Sequence, residues 1–348
     1  MKHTHLHTRL LALLLCCALV LPLSACGEAK STTQQIFDMD TVMDLTAYGK
    51  KADDGINAAI SIINSMDTLL DPENERSKTY EINHAMGSPV VVNEQIAKML
   101  RTALTVYERT NGAFDLTTYP LSKLWGFIDQ NYRVPSDAEI ERLLPCVDMS
   151  KVQLAATDDS ANSLVTMPAD MALSFGAVAK GCASEYAIQA MRAAGVTSGV
   201  VSLGGNVQTL GKKPDGSDWN IAIQDPNDTG SYLGYLTVGE TAVITSGSYQ
   251  RYFTEGGQKY HHILSPTTGR PVNNGLLAVT IVCEDGTLAD CLSTAMFVLG
   301  PQAALNYWRT YGGFEMLLVK TDGHVVLTNG LYGQFTPNGD SYVVDYAS

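Results

Sequence analysis

Between Asp53 and about Leu70, Ile56, Ala59, Ile60, Ile63 and Met66 fall on one face at helical spacing, which predicts an amphipathic helix. Ahead of it, Val42, Leu45 and Ala47 in DTVMDLTAYG mark a strand stopped by Gly49. A second helix is expected from an Asn93 cap through Tyr107, closed by Thr110-Asn111-Gly112. GAFDLTTYPLSKLWGF, from Gly112 to Phe127, is aromatic and punctuated by glycine, the pattern of a loop that lines something. From Met171 the pattern reads as strand MALSF, a glycine turn, a helix to Gly195, strand GVVSLG and a Gly204-Gly205 turn. Trp219 to Pro271 is strand-rich, with WNIAIQD, LGYLTV, TAVITSG and YHHIL. Two helices, TLADCLSTAMFVLG and PQAALNYWRTYG, then precede a hairpin of FEMLLVK and HVVLTNG that turns at Thr321-Asp322-Gly323. Helices and mostly antiparallel strands come in blocks, so the expected class is α+β rather than a doubly wound sheet.

The N-terminus belongs to a different kind of segment. A basic start, an apolar run from Leu10 to Leu23 and then Leu23-Ser24-Ala25-Cys26 read as a secretory signal over residues 1–25, with Cys26 as a lipidated first residue. The run is short for a membrane span. The mature chain is therefore expected outside the cell's cytoplasmic membrane, held on its outer face (or at a periplasmic membrane surface) by lipid. Residues 26–34 read as a polar tether, and 35–348 as one large domain or two intertwined lobes. A net charge of −13, spread along the chain, argues against nucleic-acid partners. Cys146, Cys182, Cys283 and Cys291 show no CxxC and no paired histidines, so a zinc site is not expected. Free buried thiols are the default, and a disulfide among them cannot be inferred.

Candidate chemistry lies in four places. Asp290 and Thr294 stack one turn apart on the last-but-one helix, with Ser293 beside them. One reading makes Asp290 a first-turn acid near a Thr287 helix start, with Thr294 bonding back to its own helix. The other makes the pair oxygen ligands for a hard cation. SFGAVAKG is a glycine turn into a helix, where free N–H groups and Lys180 can meet phosphate, although the G-x-x-x-x-G-K-S/T spacing is absent. TSGSYQRYF supplies Thr245, Ser246, Gly247 and Arg251, and YHHILSPTTGRPV supplies His261 and His262, which a strand would point to opposite faces. No G-x-S-x-G, HExxH or Ser/His/Asp spacing is present. Oxygen ligands, one candidate base and a phosphate-friendly turn together suit metal-assisted phosphoryl or nucleotidyl transfer.

Seven stretches in order resemble one family, the ApbE-type FAD:protein FMN transferases: MDT at Met39–Thr41, GAFDLTTYPLSKLWGF, FGAVAKG, AAGVTSGVVSLGGNVQTLG, TSGSYQRYF, HHILSPTTGRPV and ADCLSTAMFVLG. The resemblance implies a tandem T-fold-like α+β architecture with FAD between lobes. It implies attack by a threonine or serine hydroxyl of a target flavoprotein, carrying a D-x-x-S/T-G-A-T-like segment, on the FMN phosphorus of FAD, with AMP leaving. Asp290, Thr294 and the carbonyl of Ala179 match the family's Mg²⁺ ligands. Met39 and Ala113-Phe114-Asp115 match flavin- or adenine-contacting positions. Gly176, Lys180, Cys182, Thr245, Ser246, Gly247 and Arg251 fall in segments that line the FAD site, and His262 is the candidate base. The chain departs from the family pattern at Asp40, where Gly is usual, at Ser174, Ser265 and Glu185, where Asp is usual, and at Cys182, where an aromatic is usual. Two alternatives stay open: an Mg²⁺-dependent FAD pyrophosphatase giving FMN and AMP, and a non-catalytic flavin-binding lipoprotein.

Overall fold

The computed structural model describes residues 30–347 of the 348-residue chain. The expected signal peptide over residues 1–25 and the lipidated Cys26 lie outside the described residues. A nine-stranded sheet runs in the spatial order Ser31–Asp38, Thr41–Tyr48, Gly199–Leu203, Asn206–Leu210, Ala242–Gly247, Leu276–Cys283, Glu315–Lys320, His324–Thr328 and Val343–Ala347. Every neighbouring pair is antiparallel except the last, where Val343–Ala347 runs parallel to His324–Thr328. Helices and mostly antiparallel sheets make the class α+β, as the pattern predicts.

Alternation along the strands gives the sheet two apolar faces. Met43, Leu45, Val201, Leu203, Ile244, Val279 and Ile281 pack on a helical layer formed by Ala52–Leu70, Ala179–Ala193 and Gly286–Leu299, which contribute Ile56, Ile63, Ala183, Ala187, Leu292 and Met296. The intervening positions Val243, Ala278, Leu317, Val319 and Val325 pack on a three-stranded sheet of Trp219–Gln224, Tyr232–Val238 and Phe335–Pro337. A third cluster, around Leu121, Trp125, Phe127, Ile140 and Leu264, sits beneath the two-stranded ribbon of Tyr252–Glu255 and Gln258–His261. Trp125 closes it by donating its indole N–H to the Gly269 carbonyl at 2.8 Å.

Three expectations are corrected. The strand Ser31–Asp38 takes in residues 31–34 of the expected tether, pairing Ser31 with Tyr48 and Asp38 with Thr41. Met171–Phe175 is no strand: a side chain takes both backbone bonds of Leu173, and the Ser174 N–H goes to the Leu116 carbonyl at 3.1 Å. Asn83 Oδ1 accepts from the Leu173 N–H at 2.8 Å, and Asn83 Nδ2 donates to the Leu173 carbonyl at 2.9 Å. The helix Gly286–Leu299 is capped by Asp285, whose carboxylate accepts from the Leu288 N–H at 2.8 Å. Asp290 is therefore not a first-turn capping acid. The other four long helices, Ala52–Leu70, Glu94–Arg109 with its Asn93 cap, Ala179–Ala193 and Pro301–Tyr311, fall where the sequence pattern places them. No helix among the described residues is long and apolar enough to cross a membrane.

Replacing Asn83 with Ala removes both bonds to Leu173, and with them the pairing that holds Met171–Phe175 in place. The expected loss is about 1–3 kcal/mol, two net hydrogen bonds, read from urea denaturation midpoints at constant m-value. An unchanged midpoint would show that the Asn83 bonds do not hold this segment.

Candidate active site

Where the nine-stranded sheet meets the three-stranded sheet and the start of the Ala179–Ala193 helix, a cavity of about 1100 Å³ opens. That volume takes a dinucleotide-sized ligand. Among the residues singled out from sequence, Met39, Gly176, Ala179, Lys180, Thr245, Arg251 and His262 line it. They converge from turns and strand ends more than two hundred residues apart in the chain. Thr245 and Val243 face the cavity, whereas Ser246, one residue on, turns to the opposite face of the sheet. There its hydroxyl meets Ser293 Oγ at 2.8 Å and Thr294 Oγ1 at 3.2 Å.

The cationic wall carries Lys180 and Arg251. The ribbon begins just after Arg251 and ends just before His262, so the two residues face each other at its root. The Arg251 carbonyl accepts both the His262 backbone N–H at 3.1 Å and the ring Nδ1 at 3.2 Å. A carbonyl can only accept, so Nδ1 carries the proton and Nε2 keeps its lone pair. Burial, with the charges of Arg251 and Lys180 adding to it, pushes the imidazole pKa down to about 3. His262 is thus a neutral ring with an open acceptor nitrogen. His261 points the other way, as the strand period requires: its Nε2 donates to the Val272 carbonyl at 2.7 Å, and its ring packs edge-on against Phe297.

Behind the Ala179–Lys180 wall lies Asp290, only 4 % exposed. Its Oδ2 accepts from the Gly181 backbone N–H at 2.8 Å and its Oδ1 from Asn206 Nδ2 at 3.1 Å. Both donors are neutral, and among the described residues Asp290 has no ion pair. A carboxylate offers about four lone-pair positions, so two remain uncommitted. Thr294 is one helical turn on. A buried carboxylate without a paired cation among the described residues, with the Thr294 hydroxyl one turn on, is an oxygen donor set of the kind that fits Mg²⁺. Glycine makes the approach possible, since a Cβ on Gly181 would run into the Gly286 carbonyl and the Asp290 side chain. Across the same helix pair, Glu185 bonds Lys98 and accepts from Thr287 Oγ1 at 2.8 Å, while Lys98 also meets Asp285 at 3.3 Å.

Other candidates fall elsewhere. Ala113, Phe114, Asp115, Cys182 and Gly247 do not line the cavity. Phe114 and Cys182 belong to the helical core. Asp115 holds Thr117 N–H at 2.7 Å and Met149 N–H at 3.0 Å, a brace for the local backbone, and burial raises its pKa. GAFDLTTYPLSKLWGF mainly builds the third apolar cluster, and Ile128, just beyond it, reaches the cavity. Burial pushes the Cys182 thiol up to about 12, and all four described cysteines are free. In the glycine turn, the N–H groups of Val178 and Ala179 bond the Phe175 carbonyl and that of Gly181 bonds Asp290, so they are spent internally rather than left for phosphate.

One wall had no signal in the sequence pattern. Asp38, Asp40, Asp67, Asp71 and Glu73 line the cavity together with Met39. Met39 and Asp40 form a two-residue hairpin turn with φ of 45° and 57°, a conformation that costs non-glycine residues energy. The departure from Gly at Asp40 falls in this strained turn. The Met39 N–H is shared between Asp38 Oδ1 at 2.9 Å and Asp67 Oδ1 at 3.2 Å.

Comparison with known proteins decides the family. A sequence model described as the ApbE family matches residues 39–318. The chain belongs to the ApbE family. It is 30 % identical over 285 residues to an FAD:protein FMN transferase of Klebsiella pneumoniae (strain 342), covering 81 % of this chain and 87 % of that one. It is also 30 % identical over 307 residues to one of Treponema pallidum (strain Nichols), covering 84 % and 85 %. The crystal structure of the ApbE protein of Thermotoga maritima superposes with a TM-score of 0.81 at 30 % identity, over 88 % of this chain and all of that one. The apo flavinyl transferase ApbE of Pseudomonas stutzeri superposes with a TM-score of 0.75 at 26 % identity, over 89 % and 98 %. This ApbE-family chain is accordingly an enzyme, a transferase.

Burial, with the charge of Asp38 adding to it, pushes the Asp67 carboxyl up to about 6 from its ordinary 3.8. Between those values the folded chain keeps a proton that the unfolded chain has lost, so stability falls as pH rises through this window. Asp67→Asn keeps an acceptor for Met39 and removes the titration. Its stability relative to wild type should therefore climb from pH 4 to pH 6 and level off above, measured by urea midpoints. A pH-independent difference would contradict the assignment.

Proposed function

We propose that this chain is an Mg²⁺-dependent FAD:protein FMN transferase, which moves FMN from FAD to a threonine or serine hydroxyl of a target flavoprotein and releases AMP. The observation that carries the reading is the pairing of a dinucleotide-sized cavity with a His262 ring whose Nε2 is free beside Lys180 and Arg251. Lys180 and Arg251 would take the FAD diphosphate, Arg251 through paired N–H donors. His262 Nε2 would accept the proton of the acceptor hydroxyl while its oxygen bonds to the FMN phosphorus. The anhydride P–O bond breaks, and AMP leaves with that bond's electron pair. Burial, with the cations adding to it, holds the ring's pKa low. A bound diphosphate would offset the cations' part of that shift and make His262 a better base.

Asp290, Thr294 and the Ala179 carbonyl would hold Mg²⁺. When bound, that ion neutralises diphosphate charge and makes the phosphorus more electrophilic. The acceptor would carry a D-x-x-S/T-G-A-T-like segment. The basic start, apolar run and Leu23-Ser24-Ala25-Cys26 support export and lipid anchoring of the chain on the outer face of the cytoplasmic membrane.

Incubating the detergent-solubilised chain with FAD, MgCl₂ and an acceptor bearing that segment should give a fluorescent acceptor heavier by the mass of FMN, together with AMP. FMN and AMP without adduct would replace transfer by hydrolysis, and intact FAD would reduce the activity to binding. Asp290→Ala should lower the rate about 100-fold or more, the loss of several kcal/mol of charge stabilisation, in a protein that still folds. His262→Ala should lower kcat about 10²–10⁴-fold with a smaller change in KM for FAD. Wild-type rates in the His262 variant would remove it as the base.

A further inference from the structure

We propose that Asn206 is a positioning residue that aims the Asp290 carboxylate, and that the Gly204-Gly205 turn sets the register that turns Asn206 toward it. The inference rests on reading Asp290 as a metal ligand. Gly204 and Gly205 connect Gly199–Leu203 to Asn206–Leu210 in a two-residue hairpin, with φ of 60° and 91°. Both angles belong to the primed hairpin turn, which glycine enters without strain. A Cβ on Gly204 would also strike the Thr41 side chain. The turn pairs Leu203 with Asn206 and Ser202 with Val207. Ser202 and Val207 consequently face the cavity, and Asn206 and Gln208 face the helical layer. A slip of one residue would exchange the two sets, sending Asn206 into the cavity and Val207 against Asp290.

At this register Asn206 is 2 % exposed, and its amide meets Asp290 Oδ1 at 3.1 Å. Gly181, from a different element, holds Oδ2 at 2.8 Å. One donor on each oxygen fixes the carboxylate plane while leaving a lone pair on each free. Gln208, the next side chain on that face, turns its Oε1 to accept from Ser184 Oγ at 2.9 Å. Asparagine supplies a donor without a charge, so Asp290 is oriented but not neutralised, which is what a cation site needs. An aspartate at 206 would set acceptor against acceptor.

The test is calorimetric titration of MgCl₂ into the detergent-solubilised full chain saturated with FAD, with melting temperatures recorded in parallel. Asn206→Ala should weaken Mg²⁺ binding about 10–100-fold, the usual effect of removing a group that orients a ligand, and should leave FAD binding without Mg²⁺ unchanged. Because Asn206→Ala also strips a donor from a buried carboxylate, a second variant exchanges the pair, N206D with D290N. The exchange restores the buried amide–carboxylate bond and hence the melting temperature, but should not restore Mg²⁺ binding. Wild-type Mg²⁺ affinity in Asn206→Ala, or its recovery in the exchanged pair, overturns the proposal. A wild-type chain that transfers FMN but takes up no Mg²⁺ removes the metal assignment and this inference, while the transferase reading stands. Asn206-dependent Mg²⁺ uptake without any transfer has the opposite effect, supporting this inference and removing the transferase reading.

Discussion

A buried carboxylate with two neutral donors, and no ion pair among the described residues, is the constraint around which the rest of this structure is arranged. Asp290 joins three elements: its own helix, the first turn of Ala179–Ala193 through Gly181, and the strand Asn206–Leu210 through Asn206. Such a group is costly to bury unless each oxygen finds a donor. The glycines at 181 and 286 satisfy that condition by letting two helices approach more closely than any side chain allows. The same approach brings Ala179 and Lys180 to the cavity wall, so the carboxylate and the site share one geometric cause.

The cavity lining carries both signs of charge: Lys180 and Arg251, and five carboxylates. Burial, with the cations adding to it, keeps His262 neutral, and burial, with the charge of Asp38 adding to it, raises the Asp67 carboxyl. An anionic diphosphate is drawn to the cations of such a lining, while a neutral, hydrogen-bonding ring system can lie beside the acids.

Much of this was legible residue by residue. The helices follow from the recurrence of Ile56, Ala59, Ile63 and Met66 and of their counterparts, and the opposite facing of His261 and His262 follows from the strand period. Other features left no such trace. Ser31–Asp38 is polar and mostly exposed, so it shows no apolar alternation, and only its neighbour makes it a strand. Met171–Phe175 carries the apolar content of a strand, yet Asn83, far away in the chain, takes both backbone bonds of its central Leu173. Ala113-Phe114-Asp115 shares the family's motif but is turned into the core and a backbone brace.

The sequence by itself determined the α+β class, the periodic elements, the family and the residue types available for chemistry, because period and motif are carried by neighbours in the chain. Only the tertiary structure decided that Ser246 and Thr245 serve opposite faces, that the glycine turn spends its N–H groups internally, and that Asn206 rather than solvent meets Asp290. Those outcomes depend on which donor comes within about 3 Å of which acceptor. Elements far apart in sequence set that distance, through a register and a helix approach that no local pattern encodes.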